Sequence, residues 1–174
     1  AAEWGEKAKT YEQTLAECSN SLQRLGLEYV DLYLIHSPHG GPQRLNEWKA
    51  LLELKRSGKA RSIGVSNYSQ THLDEISAAG LPLPEVNQIE LHPWSQKPDL
   101  IRYMHERNIL PIAYSRLAPL STLRTAAGHA SAKPVALKAG ATGFADTAAI
   151  YAATEPPFLL RWGIHNGSPA LPTS

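Results

Sequence analysis

Tyr29-Val30-Asp31-Leu32-Tyr33-Leu34-Ile35-His36-Ser37-Pro38 reads as a short, largely apolar strand, rich in Val, Ile, Leu and Tyr and stopped by a proline. The apolar run gives way to a histidine, His36, two residues before the proline. Strands of parallel α/β folds end at the ligand-facing mouth, so a polar residue there is a site candidate. On this stretch alone His36 reads as an ordinary polar residue at a strand terminus. The rest of the chain reverses that.

Working outward, Leu15, Cys18, Leu22 and Leu25 recur at helical spacing ahead of the strand, with Thr10 and Gln13 as a capping box and Gly26 as the stop. After the strand, His39-Gly40-Gly41-Pro42 is a loop. Leu45 to Ser57 is a second amphipathic helix, with Leu45, Trp48, Leu51, Leu52 and Leu54 inward, closed by Gly58. Ala60 to Val65 is a strand ending in Ser66-Asn67, and Ser69 caps a helix to about Ala79. Val86 to Leu91 is a strand ending at His92-Pro93-Trp94. A helix runs from Pro98 to Arg107, and Ile109 to Ala113 is a strand ending at Tyr114-Ser115. A fifth strand is expected near residues 168–171.

Alternating helices and strands with short links imply right-handed crossovers and a parallel sheet. No glycine-rich phosphate loop follows an early strand, which argues against a Rossmann domain. Each strand instead delivers polar residues at its carboxyl end: His36, Ser66-Asn67, Gln88 and Glu90, Tyr114-Ser115. A (β/α)8 TIM-type barrel builds its site from several strand ends in this way. Any one of these residues could be structural; four in succession are harder to dismiss.

The chain has 174 residues, 43% hydrophobic and 19% charged, which suits a single α/β domain or a piece of a larger one. A net charge of +1 with dispersed histidines gives no sign of a nucleic-acid or anionic-membrane partner. The single cysteine, Cys18, excludes an internal disulfide and fits a reducing compartment. With no apolar run of membrane-spanning length and no signal-peptide pattern, a cytoplasmic chain without a membrane partner is expected. No initiator Met is present, so the chain reads as starting inside a longer protein. No metal-ligand pattern stands out.

The motifs resemble those of the aldo-keto reductases. The resemblance lies in Ser21 to His36, Gly58-Lys59-Ala60-Arg61-Ser62-Ile63-Gly64-Val65-Ser66-Asn67-Tyr68, Val86-Asn87-Gln88-Ile89-Glu90-Leu91-His92-Pro93 and Ala113-Tyr114-Ser115, in matching order and spacing. It is near-continuous from about Tyr11 to Leu120. It implies an incomplete barrel, about strands four to eight, with residues 1–174 as one partial domain. It also implies reduction of aldehydes or ketones with NADP(H), acting on a small-molecule carbonyl substrate. By position, His36 would orient the carbonyl, and Ser66, Asn67 and Gln88 would hydrogen-bond the nicotinamide carboxamide. Tyr114 would stack on the nicotinamide ring. Ser115 and Leu117 fall where the family contacts the pyrophosphate, with Arg116 where a proline is common. Hydroxyl and amide groups can pair both ends of a carboxamide, and an aromatic face fixes the ring plane for hydride transfer.

Beyond Leu120 the resemblance changes character. Ser121 to Lys133 reads as a loop. Ala136 to Tyr151 resembles the family's second-strand motif, and Asp146 and Tyr151 keep the spacing of its catalytic aspartate and tyrosine. In the family that motif lies near the N-terminus; here it follows the histidine strand. It is either a displaced catalytic motif or an ordinary helix-rich stretch before strand eight. Phe158 to Gly167 resembles the helix before strand eight. Pro169-Ala170-Leu171-Pro172-Thr173-Ser174 resembles that strand and its phosphate-binding start, which adds Ser174 to the implied cofactor residues.

The family's catalytic lysine has no counterpart, since Lys7 and Lys9 sit in a polar leader with no preceding strand. A tyrosine titrates near pH 10 and needs a nearby cation to act as an acid near neutrality. Thr173 stands where a lysine usually meets the cofactor phosphate. The expectation is a reductase impaired in this chain. The alternatives are a non-catalytic remnant keeping part of a nicotinamide pocket, and a barrel of isomerase or lyase chemistry. The last is disfavoured because Leu117 to Leu123 contains no glycine for a phosphate loop.

Overall fold

A computed structural model describes residues 9–39, 41–117, 148, 150, 154–165, 167 and 169. Its strands are β1 (Val30–Ile35), β2 (Ala60–Ser66), β3 (Val86–Glu90) and β4 (Leu110–Tyr114). Its helices are α1 (Tyr11–Leu25), α2 (Arg44–Arg56), α3 (Gln70–Ala78), α4 (Pro98–Glu106) and α5 (Glu155–His165). The sheet order is β1-β2-β3-β4, and β1 pairs in parallel with β2, as β2 does with β3. The β4 hydrogen bonds run in the same sense. Leu110 N–H donates to the Glu85 carbonyl (2.8 Å), and the Tyr114 carbonyl accepts from Leu91 N–H (3.4 Å). This is a parallel α/β sheet of the expected kind. Of the expected fifth strand only Pro169 is described, and its carbonyl accepts from Ala113 N–H at 2.9 Å. Among the described residues no helix is long and apolar enough to cross a membrane.

The chain divides into two compact units, Ala1–Gln88 with Arg102–Leu110 and Ile89–Ile101 with Pro111–Ser174. In the first, α1 begins at a true capping box. The Thr10 hydroxyl accepts from Gln13 N–H, and the Gln13 side chain accepts from Thr10 N–H. It ends at Gly26 with φ 67°, a left-handed turn that glycine adopts without strain. Cys18, Leu22, Trp48, Leu51, Leu54, Ile63, Val65, Leu73 and Ile76 form the core. Trp48 is fully buried, and its indole N–H donates to the Pro82 carbonyl at 2.8 Å, so its one polar atom is satisfied. Leu25 completes the helical spacing of α1 but is 61% exposed. It is the last residue before the Gly26 turn, where the chain leaves the packed face.

Gly64 fixes the spacing inside the sheet. A Cβ there would stand 2.9 Å from Leu34 Cδ2 and Val86 Cβ, and nearer still to the Val86 carbonyl. The small residue lets β2 lie close against its neighbours, and the register that follows brings the carboxyl ends of β1, β2 and β3 level.

Candidate functional site

In the first unit, the ends of β1, β2 and β3 carry His36, Ser66, Asn67 and Gln88. Ser66 is 3% exposed, and its hydroxyl donates to the Gln88 carbonyl at 2.9 Å. Asn67 N–H donates to the same carbonyl at 2.8 Å. The Asn67 side-chain amide donates to Ser66 Oγ (3.2 Å) and to the His36 carbonyl (3.5 Å). Four residues named from sequence are thus brought together through backbone and side-chain hydrogen bonds. Asn67 sits at φ 62°, a left-handed conformation that Asn tolerates better than most residues. Strain of this kind gathers at binding sites, where the surroundings hold it in place.

The four differ in what they offer a ligand. The Ser66 hydroxyl already donates to one partner and accepts from another inside the protein. His36 and Asn67 are exposed and Gln88 is half-buried, so these three present the accessible polar groups.

Sequence reasoning passed over Asn87, which is fully buried on the opposite face of β3 from Gln88. Its amide N–H donates to the Tyr68 carbonyl (2.9 Å), and its Oδ1 accepts from Tyr68 N–H (3.3 Å). One side chain therefore clamps both backbone groups of the residue that follows Asn67. The available signal was an amide inside an otherwise apolar strand face.

In the second unit, the end of β4 carries Tyr114, Ser115, Arg116 and Leu117. Tyr114, Ser115 and Leu117 are half-buried, and Ser115 turns the chain at φ 55°. Arg116 is 1% exposed. Its guanidinium lies 5.5 Å from the Trp162 ring centroid and fills the space over Gly163, both on α5. Burial lowers its pKa from the usual arginine range. The same unit holds the end of β3 and the turn after it. His92 is fully buried, its Nδ1 accepts from Trp94 N–H (3.3 Å), and its Nε2 lies 3.5 Å from a Glu90 carboxylate oxygen. Lys97 Nζ donates to the Glu90 carbonyl at 2.9 Å, and burial lowers the pKa of the amine, with Glu90 opposing. Among the described residues no cluster of His, Cys, Asp or Glu is arranged to hold a metal. Asp146, Tyr151 and Ser174, named from the C-terminal motifs, lie outside the described residues.

Known proteins share both the sequence and this architecture. An oxidoreductase of Bacillus subtilis, YtbE, is 36% identical over 94% of this chain and 52% of its own length. Morphine 6-dehydrogenase of Pseudomonas putida is 35% identical over 94% of this chain and 55% of its own. The chain thus spans about half the length of these relatives. Among solved structures, an aldo-keto reductase from a Medee basin deep-sea metagenome superposes with a TM-score of 0.80 at 32% identity, covering 96% of this chain and 57% of the other. A Bombyx mori aldo-keto reductase in complex with NADP gives 0.79 at 29% identity, covering 98% of this chain and 56% of the other. The family model described as "Aldo/keto reductase family" matches residues 1–134. A parallel α/β sheet with these polar strand ends and this extent of match leaves one assignment: the chain belongs to the aldo/keto reductase family.

Proposed function

We propose that this protein reduces aldehydes or ketones to alcohols with NADP(H), and that residues 1–174 form one partial barrel domain of the reductase. The observation that supports this best is the linked set Ser66, Asn67, Gln88 and His36, with Asn67 held at φ 62° by bonds from neighbouring strand ends. The donor set fits a nicotinamide. An exposed amide and a half-buried one offer the donor and acceptor that a carboxamide needs. The Bombyx mori relative, solved with NADP, supports the same choice of cofactor.

In this reading Asn67 and Gln88 hold the carboxamide, and Ser66 fixes the Asn67 amide by accepting from it. Tyr114 gives the aromatic face against the ring, with Ser115, Leu117 and Ser174 toward the phosphates. When bound, NADPH supplies the hydride. His36 orients the carbonyl of the small-molecule substrate by hydrogen bonding to its oxygen. Motif spacing assigns Tyr151 as the proton donor and Asp146 as the catalytic aspartate that accompanies it. Fixed donors at the carbonyl oxygen matter because charge develops there during reduction.

A tyrosine proton donor ordinarily needs a nearby cation to act near neutrality. General acid catalysis is usually worth about a hundred- to ten-thousand-fold. These 174 residues by themselves are expected to turn over slowly, since neither Lys7 nor Lys9 follows an apolar strand in the sequence. The test is NADPH-dependent reduction of a reactive aromatic aldehyde by the full chain, with His36→Ala and Tyr151→Phe. We expect turnover well below about 1 per second, lowered further by His36→Ala. Turnover at or above that rate and abolished by Tyr151→Phe would show that the tyrosine needs no such help. Activity indifferent to His36→Ala would refute the role of the histidine. NADPH binding without any turnover would select the alternative reading, a non-catalytic remnant that keeps part of a nicotinamide pocket.

A further inference from the structure

We propose that Arg44 and Glu75 are positioning residues for His36, an inference that takes the carbonyl-orienting role of His36 from the reading above. The loop after β1 carries His36 and runs into α2. Helices α1 and α3 begin at capping boxes formed by Thr10 with Gln13 and Ser69 with His72, but α2 begins at Gln43, which makes no side-chain cap hydrogen bond. The loop leading into α2 therefore lacks the anchor that the other two helices have.

Arg44, the first residue of α2, supplies one. Its Nη1 donates to the Pro38 carbonyl at 2.9 Å, two residues beyond His36. Its Nη2 donates to Glu75 Oε2 at 2.6 Å. Glu75 lies on α3, the helix that opens two residues after Asn67 with its cap at Ser69. From the other side, the Asn67 amide reaches the His36 carbonyl at 3.5 Å. The loop is thus held at both His36 and Pro38, and both holds lead to the segment Ser66–Glu75. Tyr68 stiffens that segment: it is 1% exposed, its ring meets His72 edge-on at 5.5 Å, and Asn87 clamps its backbone.

The geometry argues for placement over stability. The pair is partly exposed, at 18% for Arg44 and 33% for Glu75. Solvent at Glu75 screens the pair and limits what it adds to folding. What the guanidinium adds is its planar fork, which addresses a carbonyl and a carboxylate together. A lysine ammonium on a flexible stem keeps the charge without that fork. Arg44→Lys therefore separates the ion pair from the two-point hold.

The experiment uses the full chain with Arg44→Lys, Arg44→Ala and Glu75→Gln, and Arg61→Ala as a control that breaks an exposed pair with Asp31. Three readouts are taken: the His36 ring signals by nuclear magnetic resonance of histidine-labelled protein, the melting temperature, and kcat and KM measured separately. We expect His36 signals to shift in all three Arg44 and Glu75 variants, with the melting temperature of Arg44→Lys close to the parent. Catalytic misplacement of this size costs about ten- to a hundredfold, and we expect it in kcat, with NADPH affinity within about twofold. Arg61→Ala should move none of these. Unmoved His36 signals in Arg44→Ala and Glu75→Gln would overturn the proposal, as would a loss confined to KM. If the parent reduces no aldehyde, the functional reading fails, while the His36 signals still decide whether Arg44 places that side chain.

Discussion

At the end of β2 the chain turns through Asn67 at φ 62°, and at the end of β4 through Ser115 at φ 55°. What holds the two turns differs. The β2 turn is tied by hydrogen bonds from residues far away in sequence: the Gln88 carbonyl, the His36 carbonyl and, through Tyr68, the Asn87 amide. The β4 turn leads straight into Arg116, a buried guanidinium packed over Trp162 and Gly163. The first device depends on backbone groups that cannot move independently of the sheet. The second depends on the far end of a long side chain. A site that must hold one amide in one orientation suits the first. A helix docked beside a strand end can use the second, through Arg116.

The difference is open to direct attack. Gly64→Ala sets a methyl against the Val86 backbone and Leu34. Overpacking against backbone is at the costly end of the usual range, so we expect about 3 kcal/mol of lost stability, read from urea unfolding. Gly163→Ala sets its methyl against the Arg116 guanidinium, which can swing away. We expect about 1–2 kcal/mol there. Equal losses at the two glycines would break the contrast, since Arg116 would then be as rigid as a β-strand.

Ser115→Gly sharpens it further. Serine pays for a left-handed backbone where glycine does not, so this change should raise stability by up to about 1 kcal/mol if the turn is strained. The corresponding change at Asn67 removes an amide that donates to Ser66 and His36, so Asn67→Gly should give no such gain. A scanning-calorimetry comparison of the two variants separates them.

The smallest effect concerns acid. His72 completes the α3 cap, its Nδ1 accepting from Ser69 N–H at 3.2 Å. Burial lowers its pKa from the ordinary 6.5, with Arg44 adding to that and Glu75 opposing it. Well above 6.5 the imidazole is neutral in the folded and unfolded chain alike and contributes no pH dependence. As the pH falls from there to the lower folded value, the unfolded chain takes the proton first, and stability declines. His72→Gln should flatten that part of the stability profile. A profile unchanged in His72→Gln would show that the cap does not depend on the imidazole.

Much of the fold was legible in the sequence because hydrophobic spacing and helix-end chemistry act locally. The α1 capping box, the Ser69 cap and the four strands fall where spacing placed them, within a residue at most ends. The gathering of His36, Ser66, Asn67 and Gln88 followed from strand ends reaching one edge of a parallel sheet. The rest depended on contacts that no local pattern encodes. Glu75 lies 31 residues from Arg44, and Asn87 lies 19 from Tyr68. Arg116 looked like a departure at a phosphate loop, whereas its side chain is buried against α5. Leu25 fitted the helical period, yet the turn at Gly26 leaves it in solvent.

The central claim is that the polar strand ends bind a nicotinamide cofactor. Fluorescence titration of the full chain with NADPH tests it most directly, with Asn67→Ala and Tyr114→Ala measured beside the parent. Losing a hydrogen-bond partner or a stacking face costs about 1–3 kcal/mol. The account predicts saturable binding by the parent, weakened about five- to a hundredfold in each variant. No measurable affinity in the parent, or binding that neither substitution weakens, would contradict it.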